Sequence, residues 1–105
     1  MLTEHKQAWS VYLIKTAQGK IYTGISTDVK RRFLEHQDGG RLAAKFLRGK
    51  GPLSLVFFTK VGDRSTASRL EYQVKKLSRI EKAKIISGEL LITDLLSDPL
   101  PCLVK

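Results

Sequence analysis

Tyr12 to His36 reads YLIKTAQGKIYTGISTDVKRRFLEH, and the way its first half doubles back decides the architecture. Trp9 to Lys15 (WSVYLIK) is rich in β-branched and aromatic residues and reads as a strand. Lys20 to Ile25 (KIYTGI) reads as a second. Between them, Ala17, Gln18 and Gly19 suit a three-residue hairpin loop, with Gly19 at the position that needs positive φ. That register sets Ile14 beside Tyr22 and Tyr12 beside Gly24, so Tyr12, Ile14 and Tyr22 share one face. A slip of one residue would send the two tyrosines to opposite faces.

Working outward, Ser26-Thr27-Asp28 offers side-chain oxygens to cap a helix over about Asp28 to Gln37, which Asp38-Gly39-Gly40 ends. A short helix is expected at Arg41 to Leu47 and a loop at Gly49 to Pro52. Leu53 to Val61 (LSLVFFTKV) is an unbroken third strand. Asp63 to Leu77 is a helix capped by Asp63 or Ser65, with Ala67, Leu70, Val74 and Leu77 as its apolar stripe. Ser78-Arg79-Ile80-Glu81 matches a capping box and starts another helix, ended by Gly88. Glu89 to Ser97 suggests a further short helix, and residues 98–105, with Pro99 and Pro101, a tail. The order is that of an α+β domain, a small mostly antiparallel sheet with helices against it.

The 105 residues make one domain, residues 1–105, with 42% apolar residues for a modest core. With 28% charged residues the chain is not of disordered composition. Leu90-Leu91-Ile92 is the longest aliphatic run, far too short to cross a bilayer, and the opening residues carry no apolar leader segment. A single cysteine, Cys102, excludes an internal disulfide and a cysteine-based zinc site. The expectation is a soluble cytoplasmic domain. Nineteen Lys and Arg against ten Asp and Glu leave a net charge of +9, which favours a polyanionic partner. Arg41, Lys45, Arg48 and Lys50 form one basic stretch; Lys75, Lys76, Arg79, Lys82 and Lys84 form another. The second offers only Leu77, Ile80 and Ala83 as an apolar face, which points to phosphates along a strand and away from a membrane surface.

A few side chains invite chemistry. On the first helix Val29 and Phe33 mark the buried side, and Arg32 and His36 lie near its edge at i, i+4, while Arg31, Lys30 and Glu35 point towards water. Arg32 either snorkels past the core or reaches the sheet face. Glu71 sits at the margin of the later helix's stripe, either paired with Lys75 or placed to hold a hard cation. Tyr22 is core or site. Gly24 weakens its strand unless a bulge or a close neighbour needs the room.

Tyr12 after Ser10-Val11, then Tyr22-Thr23-Gly24, then Arg32, His36 and Glu71 in order, resembles the GIY-YIG nuclease superfamily. The resemblance covers roughly Ala8 to Gly88, with residues 89–105 as a C-terminal helix and tail. Tyr12 to His36 looks closest to the small single-domain YhbQ-like bacterial proteins. It implies a three-stranded antiparallel sheet flanked by helices, carrying a metal-dependent site that cuts phosphodiester bonds in DNA, with a role in DNA repair or the damage response. The family's two tyrosines map to Tyr12 and Tyr22, its arginine to Arg32 and its metal-binding glutamate to Glu71. His36 sits where several members carry a histidine or tyrosine. The implied cofactor is a divalent ion, Mg²⁺ or Mn²⁺.

On that reading Glu71 holds the metal, Arg32 clamps the phosphate, and Tyr22 is the general base oriented by Tyr12 or His36, with His36 as the rival base. Nucleic acid, DNA ahead of RNA, would lie along Arg41, Lys45, Arg48, Lys50, Lys75 and Lys76. Three departures stand out: Ser10-Val11 replace Gly-Ile, Thr23 replaces the middle Ile, and the chain has no Asn, a residue many of these nucleases carry after the glutamate helix. The alternative is a non-catalytic nucleic-acid-binding module on the same scaffold, which would show salt-sensitive binding without turnover.

Overall fold

Gly19 adopts φ 85°, closing the turn that brings the first two strands together. The computed structural model describes residues 8–96. Strands β1 (Trp9–Lys15) and β2 (Ile21–Ser26) pair antiparallel with Tyr12 opposite Gly24 and Ile14 opposite Tyr22, the register expected from the turn. Strand β3 (Ser54–Gly62) pairs antiparallel with the other side of β1, giving the order β2-β1-β3. The central strand is buried from Ser10 to Ile14 because it is covered on both faces.

Helix α1 (Val29–Asp38) follows the hairpin. Asp28 caps it by accepting the Arg31 N–H, and Gly39 ends it in the left-handed conformation at φ 74°. Helix α2 (Arg64–Lys75) is capped by Asp63, and α3 (Arg79–Ser87) carries the full capping box between Ser78 and Glu81. Alternation along β1 divides the interior into two cores. Val11 and Leu13 pack with Ala67, Leu70 and Val74 of α2 and with Ile85 of α3. Tyr12 and Ile14 pack on the opposite side with Leu47 and Leu53, joined by Tyr22, Val29, Phe33 and Leu55.

Three local expectations are corrected. The helix over Arg41 to Leu47 contracts to a 3₁₀ turn at Lys45–Leu47. Its preceding backbone is satisfied otherwise: the Ala43 N–H reaches Gly40 O, the Ala44 N–H goes to the His36 ring, and Arg48 donates to Arg41 O. The helix over Glu89 to Ser97 is likewise a 3₁₀ turn, Ile92–Leu95; Ser97 and the tail with Cys102 lie outside the described residues. α2 stops at Lys75, before Leu77, because the Lys76 and Leu77 N–H groups close short bonds to Gln73 and Val74. No described helix is long and apolar enough to cross a membrane.

Candidate active site

The polar side of the sheet is built around a buried phenol. Tyr12 is 1% exposed, and its hydroxyl lies 2.8 Å from His36 Nε2. His36, also 1% exposed, is delivered by the last turn of α1. Its other ring nitrogen, Nδ1, accepts the backbone N–H of Ala44 at 3.2 Å. A backbone N–H can only donate, so Nδ1 is unprotonated and the neutral ring carries its proton on Nε2. His36 therefore donates to the Tyr12 oxygen. Burial, with the Arg32 guanidinium adding to it and Glu35 opposing, lowers the imidazole from 6.5 to about 4, so the ring is neutral at pH 7. Burial likewise raises the Tyr12 phenol well above its ordinary range; Tyr22 and Glu71 reinforce the rise and Arg32 opposes it.

Gly24 explains how Tyr12 fits. A Cβ at this position would overlap the Tyr12 hydroxyl and the ring carbon that bears it, so the second strand leaves out a side chain where the phenol crosses it. Tyr22, two residues earlier on the same face, is partly exposed. Its ring meets His36 edge-on, with centroids 5.4 Å apart, and lies 6.3 Å from the Tyr12 ring. On its far side it stacks on Phe46, at 5.9 Å and 25°.

Arg32 reaches the site rather than snorkelling away. Its Nη1 donates to Glu35 Oε1 at 2.9 Å and to Leu42 O at 2.6 Å, which ties α1 to the following loop. The expectation that Glu35 points towards water is corrected: its side chain is 22% exposed, held between Arg32 and Arg31. Arg31 does face solvent, at 62%. Glu71 comes from α2, and its charge is felt at the Tyr12 phenol. Its carboxylate is also 3.2 Å from Lys75 Nζ, so the helical ion pair weighed from the sequence is present.

A groove of about 280 Å³ opens beside these groups, lined by Ile21, Tyr22, Thr23, Phe46, Lys75 and Lys82. It joins one residue of the first basic stretch to two of the second. Lys50 stands over the Phe46 ring at 5.3 Å, whereas Lys76 stands over Tyr72 at 4.9 Å. Arg41 lines a different depression, with Arg31, Leu34 and Leu42. Lys45 and Arg48 are exposed on the turn around Phe46. Sequence reasoning passed over Phe46 and left Lys82 out of the binding set. The only signal for Phe46 was an aromatic ring embedded in a basic stretch.

Among the described residues no three His, Cys, Asp or Glu side chains cluster as a metal cage. The single hard oxygen donor of Glu71 nonetheless suits an ion that keeps waters and takes its remaining ligands from phosphate oxygens.

Residues 8–84 match the profile of the GIY-YIG catalytic domain. The chain is similar to a UPF0213 protein of Photorhabdus laumondii, at 55% identity over 74% of this chain and 73% of the relative. A UPF0213 protein of Yersinia pestis is 53% identical over 86% of this chain and 94% of its own length. The solution NMR structure of a UPF0213 protein from Bacillus halodurans superposes with a TM-score of 0.50 at 36% identity, covering 85% of this chain and 93% of that one.

Proposed function

The chain belongs to the GIY-YIG family, a nuclease superfamily that acts on nucleic acid and generally uses divalent metal ions, and from that premise we propose that it hydrolyses phosphodiester bonds in DNA. The observation that carries the reading is the buried Tyr12–His36 pair, which fixes the wall against which Tyr22 and Arg32 are presented.

The geometry supports a role for each residue. Tyr22 is the accessible phenol; its deprotonated form would take the proton of the attacking water while the water oxygen bonds to phosphorus and the phosphorus bond to the leaving oxygen breaks. Tyr12 is too deeply buried and too weakly acidic for that task. We assign the base role to Tyr22 over His36, whose Nδ1 accepts from Ala44 and whose Nε2 carries the proton. It acts as a positioning residue that orients Tyr12 and buttresses the Tyr22 ring. Arg32 Nη1 donates to Glu35 and Leu42 and the guanidinium also bonds the Tyr12 phenol, so its remaining donors would grip a phosphate. Glu71 would hold Mg²⁺ or Mn²⁺, which supplies Lewis acidity to the phosphoryl and leaving oxygens when bound. Arg41, Lys45, Arg48, Lys50, Lys75 and Lys76 add salt-sensitive affinity for the strand. No described helix is an evident groove reader, so sequence selectivity is low, and shape, ends or single strands are preferred. A role in DNA repair or the damage response accompanies this reading.

The Glu71–Lys75 pair favours a second reading, a nucleic-acid-binding module without turnover, because there the carboxylate is already neutralised. One assay separates the two. The purified protein is offered labelled single-stranded, duplex, nicked and flapped DNA and RNA with Mg²⁺ or Mn²⁺, alongside Glu71→Ala. Cleavage lost in the variant supports the nuclease. Cleavage at the wild-type rate by Glu71→Ala rejects it, and binding without cleavage under either ion supports the module.

A further inference from the structure

We propose that Phe46 is the platform on which an unpaired nucleobase next to the scissile phosphate stacks, with Lys75 and Lys82 holding that nucleotide's phosphate; this rests on the nuclease reading above. The ring is 41% exposed on a small protein, yet it is not loose. One face stacks on Tyr22 at 25°, and Lys50 stands over the ring at 5.3 Å with its Nζ donating to Phe46 O at 3.2 Å, a flexible side chain that an incoming base would displace. An immobilised, half-open aromatic ring presents a flat surface at little entropic cost, which is what base stacking needs.

The groove supplies the other half of a nucleotide. Lys75 and Lys82, from successive helices, line it together with the ring, and no acidic residue is among its lining groups. Thr23, in the same wall, has a hydroxyl that is buried without a hydrogen-bond partner among the described residues. An apolar plate beside two ammonium groups fits a base and its phosphate. An apolar peptide offers no counter-charge to Lys82, while Lys75 already meets Glu71 at 3.2 Å. A base inside a duplex has no free face to offer, so the occupant is an unpaired nucleotide.

Position links this groove to the reaction. Tyr22 forms part of its wall, and Lys75, another lining residue, is tied to Glu71. A nucleotide seated there lies near the proposed base and the proposed metal ligand. Phe46 thus acts as a specificity-determining residue that sets which phosphate is cut.

The test uses the full chain and a short fluorescent single-stranded oligodeoxynucleotide in Ca²⁺, with an abasic unit moved through each position in turn. In the wild type, one abasic position weakens binding about tenfold. Phe46→Ala weakens the intact oligonucleotide by a similar factor and is indifferent to that abasic position. Phe46→Trp restores the effect and Phe46→Leu does not. With Mg²⁺ or Mn²⁺ supplied, the cut falls next to the sensitive position in the wild type and scatters in Phe46→Ala. Additive losses from the abasic unit and Phe46→Ala would overturn the inference, as would rescue by Leu equal to rescue by Trp. Those results, with Glu71-dependent cleavage intact, leave the nuclease reading standing. A wild type that neither binds nor cleaves ends both.

Discussion

Val11 and Tyr12 are neighbours on β1, both buried, and they look to opposite sides of the same sheet. Val11 enters an apolar core against Ala67, Leu70 and Val74, where shape and volume are all that packing requires. Tyr12 enters a layer that also buries an imidazole and shelters a guanidinium, where each polar group needs a partner with the right donor or acceptor. That layer is held because His36 accepts a hydrogen bond from one neighbour and donates one to the next. The contrast teaches that one side of the sheet holds the fold together, while the other holds particular atoms in place. Substitutions should therefore separate into those that unfold the protein and those that disarm it.

The largest expected effect is on the apolar side. Leu70→Ala removes a fully buried side chain and should cost about 2–5 kcal/mol of unfolding free energy by denaturant titration, with the cleavage rate per folded molecule unchanged. A matching loss of specific rate would blur the contrast. On the polar side Arg32→Lys should slow cleavage by about 10²-fold with a small change in Tm, because a lysine cannot both grip Leu42 O and present a fork. Gly24→Ala joins the two sides: its new methyl overlaps the Tyr12 phenol, so stability should fall by about 1–3 kcal/mol and the rate should drop with it.

The smallest effect concerns pH. Burial holds His36 at about 4 in the folded chain against 6.5 ordinarily, so the unfolded chain takes up the proton first as pH falls. The stability present above pH 6.5 is then lost progressively towards pH 4. Tm of the wild type should fall by several degrees more than that of His36→Gln across this window. Parallel Tm curves for the two proteins would mean that burial does not hold the imidazole neutral.

Much of this was legible from local signals. The hairpin register followed from Gly19 and the strand alternation, the three α-helices followed from Asp28, Asp63 and the Ser78–Glu81 box, and the shared face of Tyr12 and Tyr22 followed from period two. What escaped depended on distant partners. The turn at Lys45–Leu47 replaces a helix because Ala44 finds the His36 ring, a bond between residues on different elements. Glu35 is drawn inward by Arg32, which helical angles alone place at the edge. The tautomer of His36 and the role of Phe46 exist only once α1, β2 and that turn are assembled. Gly24 lies between these cases, since its need for room was evident from the sequence but the phenol that uses the room was not.

The central claim is that the accessible phenol beside this buried pair performs the chemistry. Tyr22→Phe tests it most directly, because it removes one oxygen and keeps the ring that stacks on Phe46 and meets His36. Initial rates on labelled single-stranded DNA with Mn²⁺ should fall by about 10²-fold or more, with oligonucleotide affinity and Tm unchanged. A variant that cuts at the wild-type rate would contradict the account.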